Sequence, residues 1–200
     1  MKKPAIVELQ YIAAIANVPS ILDRGILCHA QAQRFKTVDI ASPKIQERRK
    51  GKRVPNGAPL HEYVNLYFCA RNPMLYSLKE RHGDLCILCI SANILYLPGV
   101  VITDGNAASD YTRFWPSPEG LDHLHFERIF ASDWRDSNQI QEWENKRVKC
   151  AEVLVPRRVD PKFILAARVS GEGSRNRLLA LAPTLKVMID PYLFFCEAEP

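Results

Sequence analysis

The sequence predicts an α+β fold. Short apolar runs that read as strands are dispersed along the chain among short helical segments. They keep no regular β-α-β rhythm, which argues against a doubly wound parallel sheet. The length of 200 residues suits one domain, 1–200, with a full hydrophobic core.

Taken in order, Tyr11 to Ile15 reads as a short strand. Asn17-Val18-Pro19-Ser20 then opens a helix, with Asn17 as N-cap and Pro19 in the first turn, and Gly25 stops it. Pro43 suits a first turn and no breaker follows until Gly51, so Lys44 to Lys50 reads as a second helix. Val54 to Pro59 is a loop, because two prolines and a glycine interrupt it. Tyr63 to Cys69 alternates aromatic and aliphatic residues as a strand does. Pro73 opens a helix that Gly83 ends. Leu85 to Leu97 is apolar and reads as strand, turning helical at Ser91-Ala92-Asn93. Val100 to Ile102 is another short strand, and Thr103 to Ser109 a turn followed by a helix start. Tyr111 to Trp115 is aromatic and ends at two prolines. Leu121 to Ile129 reads as a helix, Trp134 to Lys146 as loop or helix, and Val148 to Val155 and Lys186 to Phe195 as late strands.

Composition excludes several classes. Hydrophobic content of 47% with 24% charged residues is that of a soluble globular protein. No apolar stretch approaches the roughly 18 residues that a membrane helix needs. Glu8, Gln10 and Asn17 interrupt the apolar start of the chain, against a signal peptide. The six cysteines are scattered beside aliphatic and aromatic residues, as reduced core cysteines of a cytoplasmic protein are. Cys86 and Cys89 form a C-x-x-C without a second one, inside an apolar strand, so no metal is expected. The net charge of +5 is clustered: Lys44 to Arg53, then Arg157, Arg158 and Lys162, then Arg168, Arg175 and Arg177. Such clusters are either solvated faces or contacts to a polyanion, of which nucleic acid is the commonest.

The usual enzyme templates are missing: no G-x-G-x-x-G, no G-K-[ST], no H-E-x-x-H and no G-x-S-x-G. What stands out instead is Glu152 in KCAEVLVP. A carboxylate within an apolar strand is costly to bury unless it is paired or used; the plain alternative is the exposed end of a strand. Aromatic residues at Tyr111, Phe114, Trp115 and Trp134 interleave with Arg113 and Arg135 near element ends. That pattern suits stacking and charge contacts to a single strand, or else buried loop anchors.

Four segments, in this order and spacing, carry a resemblance: YIAAIANVPSILDRGIL (Tyr11 to Leu27), VNLYFCARNPMLYSL (Val64 to Leu78), ITDGNAASDYTRFW (Ile102 to Trp115) and KCAEVLVP. Together they resemble the DarT family of DNA ADP-ribosyltransferases, the toxins of toxin–antitoxin pairs whose antitoxin is a macrodomain protein of the DarG kind. The resemblance implies the ADP-ribosyltransferase fold: two packed β-sheets forming an NAD-binding cleft, surrounded by short helices. It also implies transfer of ADP-ribose from NAD+ to a base of single-stranded DNA, thymine first and guanine second. The alternatives are an RNA or protein acceptor, or a catalytically weak nucleic-acid-binding relative.

By the same resemblance Glu152 matches the catalytic glutamate. The helix after the first loop matches the segment that carries a functional arginine, Arg49 or, one residue earlier in register, Arg48. Ala14, Asn17, Leu22 and Gly25 fall on the first cofactor segment. Arg49, Tyr67, Phe68, Arg71 and Met74 are the other cofactor candidates. Arg71 equally fits a structural tie, and Tyr67 and Phe68 equally fit plain core. The family commonly carries a His where this chain has Ala14, which leaves the ribose contact to Asn17 or a backbone group. Tyr111, Arg113, Trp115, Trp134, Arg157 and Arg158 are the DNA-binding candidates. A monomer working with a macrodomain antitoxin completes the expectation.

Overall fold

The computed structural model describes residues 5–196. Ten strands and seven α-helices, joined by 3-10 turns, run in the order β1 (Glu8–Ala14), α1 (Val18–Arg24), β2 (Ile26–Leu27), α2 (His29–Ala32), α3 (Pro43–Lys50), β3 (Tyr63–Tyr67), α4 (Pro73–Ser77), β4 (Leu85–Ser91), β5 (Val101–Thr103), β6 (Phe114–Pro116), α5 (Phe126–Ile129), α6 (Gln139–Lys149), β7 (Glu152–Pro156), β8 (Arg158–Val159), β9 (Ile164–Val169), α7 (Glu172–Leu181) and β10 (Val187–Ile189), counted among the described residues. The α+β class is borne out.

Eight strands follow the order β10-β9-β4-β1-β3-β7-β5-β6, and β2 pairs with β8 as a separate ribbon. The large sheet is two four-stranded halves. β1 pairs with β4 along its whole length, Glu8↔Ser91 to Ala14↔Leu85. β3 pairs with β7 from Tyr63↔Pro156 to Tyr67↔Glu152. Between the halves, β1 and β3 meet at one pair, Gln10↔Tyr67. Gln10 braces that junction, its buried side-chain oxygen accepting the Ala70 N–H at 2.6 Å. Beyond it the strands part and leave a cleft between the C-terminal half of β1 and the N-terminal half of β3. The expected pair of packed sheets thus takes the form of one sheet that splits at its centre.

Both faces of the sheet are covered. Cys86, Leu88 and Ile90 of β4 face one core cluster, with Leu9, Leu66 and Val153. Leu85 and Ile87 face another, with Ile12, Tyr67, Leu75 and Phe194. Burial on both sides is why β4 reads as a continuous apolar run. Cys86 and Cys89 lie three apart on this strand and point to opposite faces; burial pushes both thiols up to about 12.

Several expectations needed correction. Val148 to Lys149 is helix rather than strand, because Asn138 caps α6 by accepting the Ile140 and Gln141 N–H groups and the helix runs on to Lys149. No helix follows Thr103 to Ser109, where side chains satisfy the backbone locally: Thr103 Oγ1 donates to the Gly105 carbonyl and Asn106 Oδ1 accepts the Ala108 N–H. The helix from Pro73 ends at Ser77 and continues as 3-10 turns, and Leu121 to Ile129 divides into a 3-10 turn and α5. The strand foreseen over Lys186 to Phe195 is confined to β10, and β9 and α7 had no counterpart in the sequence pattern. No helix among the described residues is long and apolar enough to cross a membrane.

Gly25 ends α1 with φ +86°, and a Cβ there would lie 2.2 Å from the Val159 carbonyl oxygen. Only glycine fits that approach of α1 to the β2–β8 ribbon. Gly25→Ala is expected to destabilise the protein by about 2–4 kcal/mol, the sum of backbone strain and displacement of Val159. Chemical denaturation of the variant against wild type measures it, and a change below about 1 kcal/mol contradicts the stated contact.

Candidate active site

The site is built where the two half-sheets part. Glu152 is the first residue of β7, paired with Tyr67 across β3 and only 1% exposed. Its backbone N–H donates to Thr103 Oγ1 at 3.0 Å, which ties the start of β7 to the end of β5. Its carboxylate has two partners. Arg49 Nη1 donates to Oε2 at 3.1 Å and to Oε1 at 3.3 Å. The Ala107 N–H donates to Oε1 at 3.1 Å. The irregular Thr103–Ser109 turn is what aims that N–H inward.

Arg49 lies in the last turn of α3 and is 6% exposed. Its phase on the helix follows from Ile45 one turn earlier, which faces the same cavity. Arg48 faces solvent. Of the two register choices, Arg49 is therefore the one beside Glu152. Its Nη2 is buried and has no hydrogen-bond partner among the described residues. A buried guanidinium N–H without a partner is costly, so this group is a donor held ready for a ligand.

A cavity of about 730 Å³ opens on this pair. Its size falls in the usual range for small-molecule sites, about 300–1,000 Å³. Ala14, Asn17, Gly25, Arg49, Tyr67, Met74 and Glu152 all line it. The Tyr67 hydroxyl donates to Met74 Sδ at 3.1 Å. Burial, and then the Glu152 charge, hold its phenol well above the usual range, so it remains a neutral donor.

Other candidates fall elsewhere. Phe68 is 3% exposed in the core, edge-on to Phe126. Leu22 packs against the same core. Arg71 lies over the Tyr192 and Phe195 rings and bonds to the Tyr192 and Ser132 carbonyls, so it is the structural tie. Asn17 lines the cavity without capping α1; its amide bonds to both the N–H and the carbonyl of Val38, at 2.9 Å each. Both polar atoms of Asn17 are thereby engaged on the segment that walls the cavity.

Among the proposed DNA contacts, Tyr111 is 83% exposed and Arg113 is exposed. Trp115 is half-buried and stacked on His123 at 4.7 Å. Trp134 is 8% exposed, edge-on to Tyr76 and Phe195, so it is a buried anchor. Arg157 and Arg158 line a surface groove with Arg24 and Arg34. That groove adjoins the cavity, since Leu27 and Phe35 border both.

Sequence reasoning missed three groups. The Ala107 N–H is a backbone group that no residue type reveals. His29 and His61 line the cavity with rings 4.3 Å apart, joining α2 to the turn before β3. Burial, then His29 and Arg49, lower the His61 pKa from its ordinary value. Tyr11, on β1, also lines the cavity, and burial raises it to about 12.

The family profile described as ssDNA thymidine ADP-ribosyltransferase, DarT, matches residues 10–195. The chain belongs to the DarT family. A DNA ADP-ribosyl transferase–DNA ADP-ribosyl glycohydrolase fusion protein of Thermosipho africanus is 35% identical over 200 residues, covering 96% of this chain and 50% of the fusion. The chain thus spans about half the length of that relative. A DNA ADP-ribosyl transferase of Thermus sp. is 36% identical over 164 residues, 76% of each chain. Among solved structures, Thermus sp. DarT in complex with ADP-ribosylated ssDNA superposes with a TM-score of 0.85, at 29% identity, over 97% of this chain and 99% of that one. Thermus sp. DarT in complex with NAD+ gives 0.78 at 26% identity, over 96% and 100%.

Within this DarT fold the Arg49–Glu152 pair predicts unequal mutational effects. Arg49→Ala leaves a buried carboxylate with only the Ala107 N–H. It is expected to cost about 2–4 kcal/mol, near the lower end for breaking a buried pair. Arg48→Ala, in solvent, is expected to stay within about 0.5 kcal/mol of wild type. Thermal and urea melts of both variants check this, and equal losses contradict the stated burial.

Proposed function

We propose that this protein transfers ADP-ribose from NAD+ to a thymine base of single-stranded DNA and releases nicotinamide, as one domain spanning residues 1–200. The observation that carries the reading is the Glu152–Arg49 pair, buried at the cavity with one guanidinium nitrogen, Nη2, unanswered. The residues fit the co-substrate: a cavity of suitable size, a neutral tyrosine, a buried carboxylate and an orphan cationic donor. The relatives' description as DNA ADP-ribosyl transferases, with complexes containing NAD+ and ADP-ribosylated ssDNA, supports the same activity.

Breaking the nicotinamide glycosidic bond leaves positive charge on the ribose. Glu152 accepts a hydrogen bond from a ribose hydroxyl and stabilises that charge, worth most in a site sheltered from water. It also stands ready to take a proton from the attacking base. Arg49 holds Glu152 in one orientation with Nη1. Its Nη2 is left to grip a diphosphate oxygen or a base carbonyl. Tyr67 packs its ring beside the departing nicotinamide, and Met74, Gly25, Ala14 and Asn17 form the wall around the co-substrate. Tyr111, Arg113 and Trp115 on one side, and Arg157 and Arg158 in the groove, contact the DNA. The protein is proposed to act as a monomer. The free cysteines among the described residues support a reducing, cytoplasmic setting. The glycohydrolase fused to the Thermosipho relative supports a macrodomain antitoxin as partner.

Glu152→Gln keeps the shape and removes the charge. It is expected to lower ADP-ribosylation of DNA by about 10²- to 10³-fold with an unchanged circular dichroism spectrum. Labelled NAD+ with a thymine-containing oligonucleotide, an RNA of the same sequence and a protein lysate is the assay. Activity within about tenfold of wild type removes Glu152 from the mechanism, and label on RNA or protein alone replaces the acceptor.

DNA modification is also expected to weaken with salt, because arginines release counterions from the strand. Replacing Arg157 and Arg158 with Ala is expected to flatten the log–log slope by about 0.7 for each phosphate that is no longer neutralised. An unchanged slope in the double variant takes the groove out of the DNA path.

A further inference from the structure

One tryptophan has no structural employment. Trp115 rests on His123 and Trp134 on Tyr76, whereas Trp143, on α6, stands 59% exposed and meets no other ring among the described residues. Its neighbour one turn back, Ile140, is 74% exposed. A large aromatic ring left in water on a rigid helix is a feature to explain.

Its position is fixed by Arg147, one turn further on. Helical side chains lean toward the N-terminus, and the Arg147 guanidinium bonds Glu144 at 2.7 and 2.8 Å, in the turn that carries Trp143. The same guanidinium reaches across to Asp104 at 2.8 Å and Thr112 at 3.4 Å. Asp104 in turn accepts the Arg113 N–H at 2.9 Å. One half-buried arginine therefore clamps the turn bearing Trp143 to the loop bearing Tyr111 and Arg113. That loop also supplies the Ala107 N–H that holds the Glu152 carboxylate.

We propose that Trp143 and Tyr111 are stacking platforms for bases flanking the target nucleotide, with Arg113 neutralising a phosphate between them. The inference rests on the function proposed above and deepens it. A base that reacts must leave its neighbours, and aromatic rings replace the stacking that those neighbours lose. A single strand fits better than a protein partner because of the charge that surrounds the rings. The nearby acids are already engaged, Glu144 and Asp104 by Arg147 and Glu142 by Lys146, which leaves the exposed Arg113 to set the outward charge.

The test uses the full chain and oligonucleotides that carry one target thymine and one abasic nucleotide, moved stepwise along the flanks. Wild type is expected to show a KM for the oligonucleotide raised roughly tenfold at one or two flank positions, the effect of losing one base–aromatic stack. Trp143→Ala is expected to show that rise with the intact oligonucleotide and no further rise with the matching abasic one. Trp143→Phe retains most of the affinity. Thermal stability, and NAD+ hydrolysis without DNA, stay at wild-type values in both. Tyr111→Ala is expected to match a different flank position. A wild-type KM in Trp143→Ala, or an abasic penalty that persists undiminished in that variant at every position, overturns the proposal. So does a Trp143→Ala protein that loses only binding to a macrodomain partner. Wild-type protein that modifies no oligonucleotide overturns the parent function, a result read before any variant is made.

Discussion

The Arg49–Glu152 hydrogen bond, formed between residues 103 apart in sequence, is the constraint around which the rest is arranged. Desolvating a charge pair costs about as much as the attraction returns, so its worth lies in position rather than stability. It fixes α3 against the start of β7 and determines which helix residue enters the cavity. The Ala107 N–H and the Thr103 hydroxyl hold the same glutamate from β5 and the turn beyond it. Two groups thus hold the carboxylate, and a third ties down the backbone of the residue that carries it. Such convergence is how a site keeps a reactive group within a few tenths of an ångström of a working geometry.

The split sheet gives that convergence its setting. A continuous sheet would satisfy every backbone group of β1 and β3 and leave no room. Here the strands meet at Gln10↔Tyr67 and then separate. Tyr67, the last residue paired on this side, is also the register partner of Glu152. The fork in the sheet and the buried carboxylate are consequently one structural point. The buried Gln10 side chain holds the fork closed at the Ala70 N–H, so the opening begins there and nowhere earlier along β1.

Much of this was legible in the sequence, and the illegible parts share a cause. Glu152 was visible because a charge inside an apolar run is costly. Where β7 begins was not, since Val148 and Cys150 to Val155 read as one apolar stretch while the Asn138 cap carries the helix through Lys149. The choice between Arg48 and Arg49 could have been made from Ile45, the single apolar residue that phases α3. Trp134 was mistaken for a DNA contact, and Trp143 passed over, because burial at 134 comes from Tyr76 and Phe195. Those partners lie far off in sequence in either direction, and no local pattern announces them. Arg71 left its two readings balanced for the same reason, until Tyr192 and Phe195 closed around it.

The two ends of the cavity are held by different forces. At the Glu152 end the bonds are buried and charged, each worth about 1.5–3 kcal/mol where a charged group takes part. At the other end the wall from Val38 to Ser42 is joined to the start of α1 by the Asn17 amide, through two exposed bonds between neutral groups. Bonds of that kind contribute about 0.5–1.5 kcal/mol net and compete with water. Local opening follows the weakest attachments first. The wall's other anchor is Ile40, half-buried against the cluster of Ile12, Tyr67 and Phe194, so these two bonds are the weaker of its attachments. Ala14, at the end of β1 beside this wall, adds no side chain that would tie it further. The weaker attachments thus lie on one side of the cleft, and the buried, charged ones on the other.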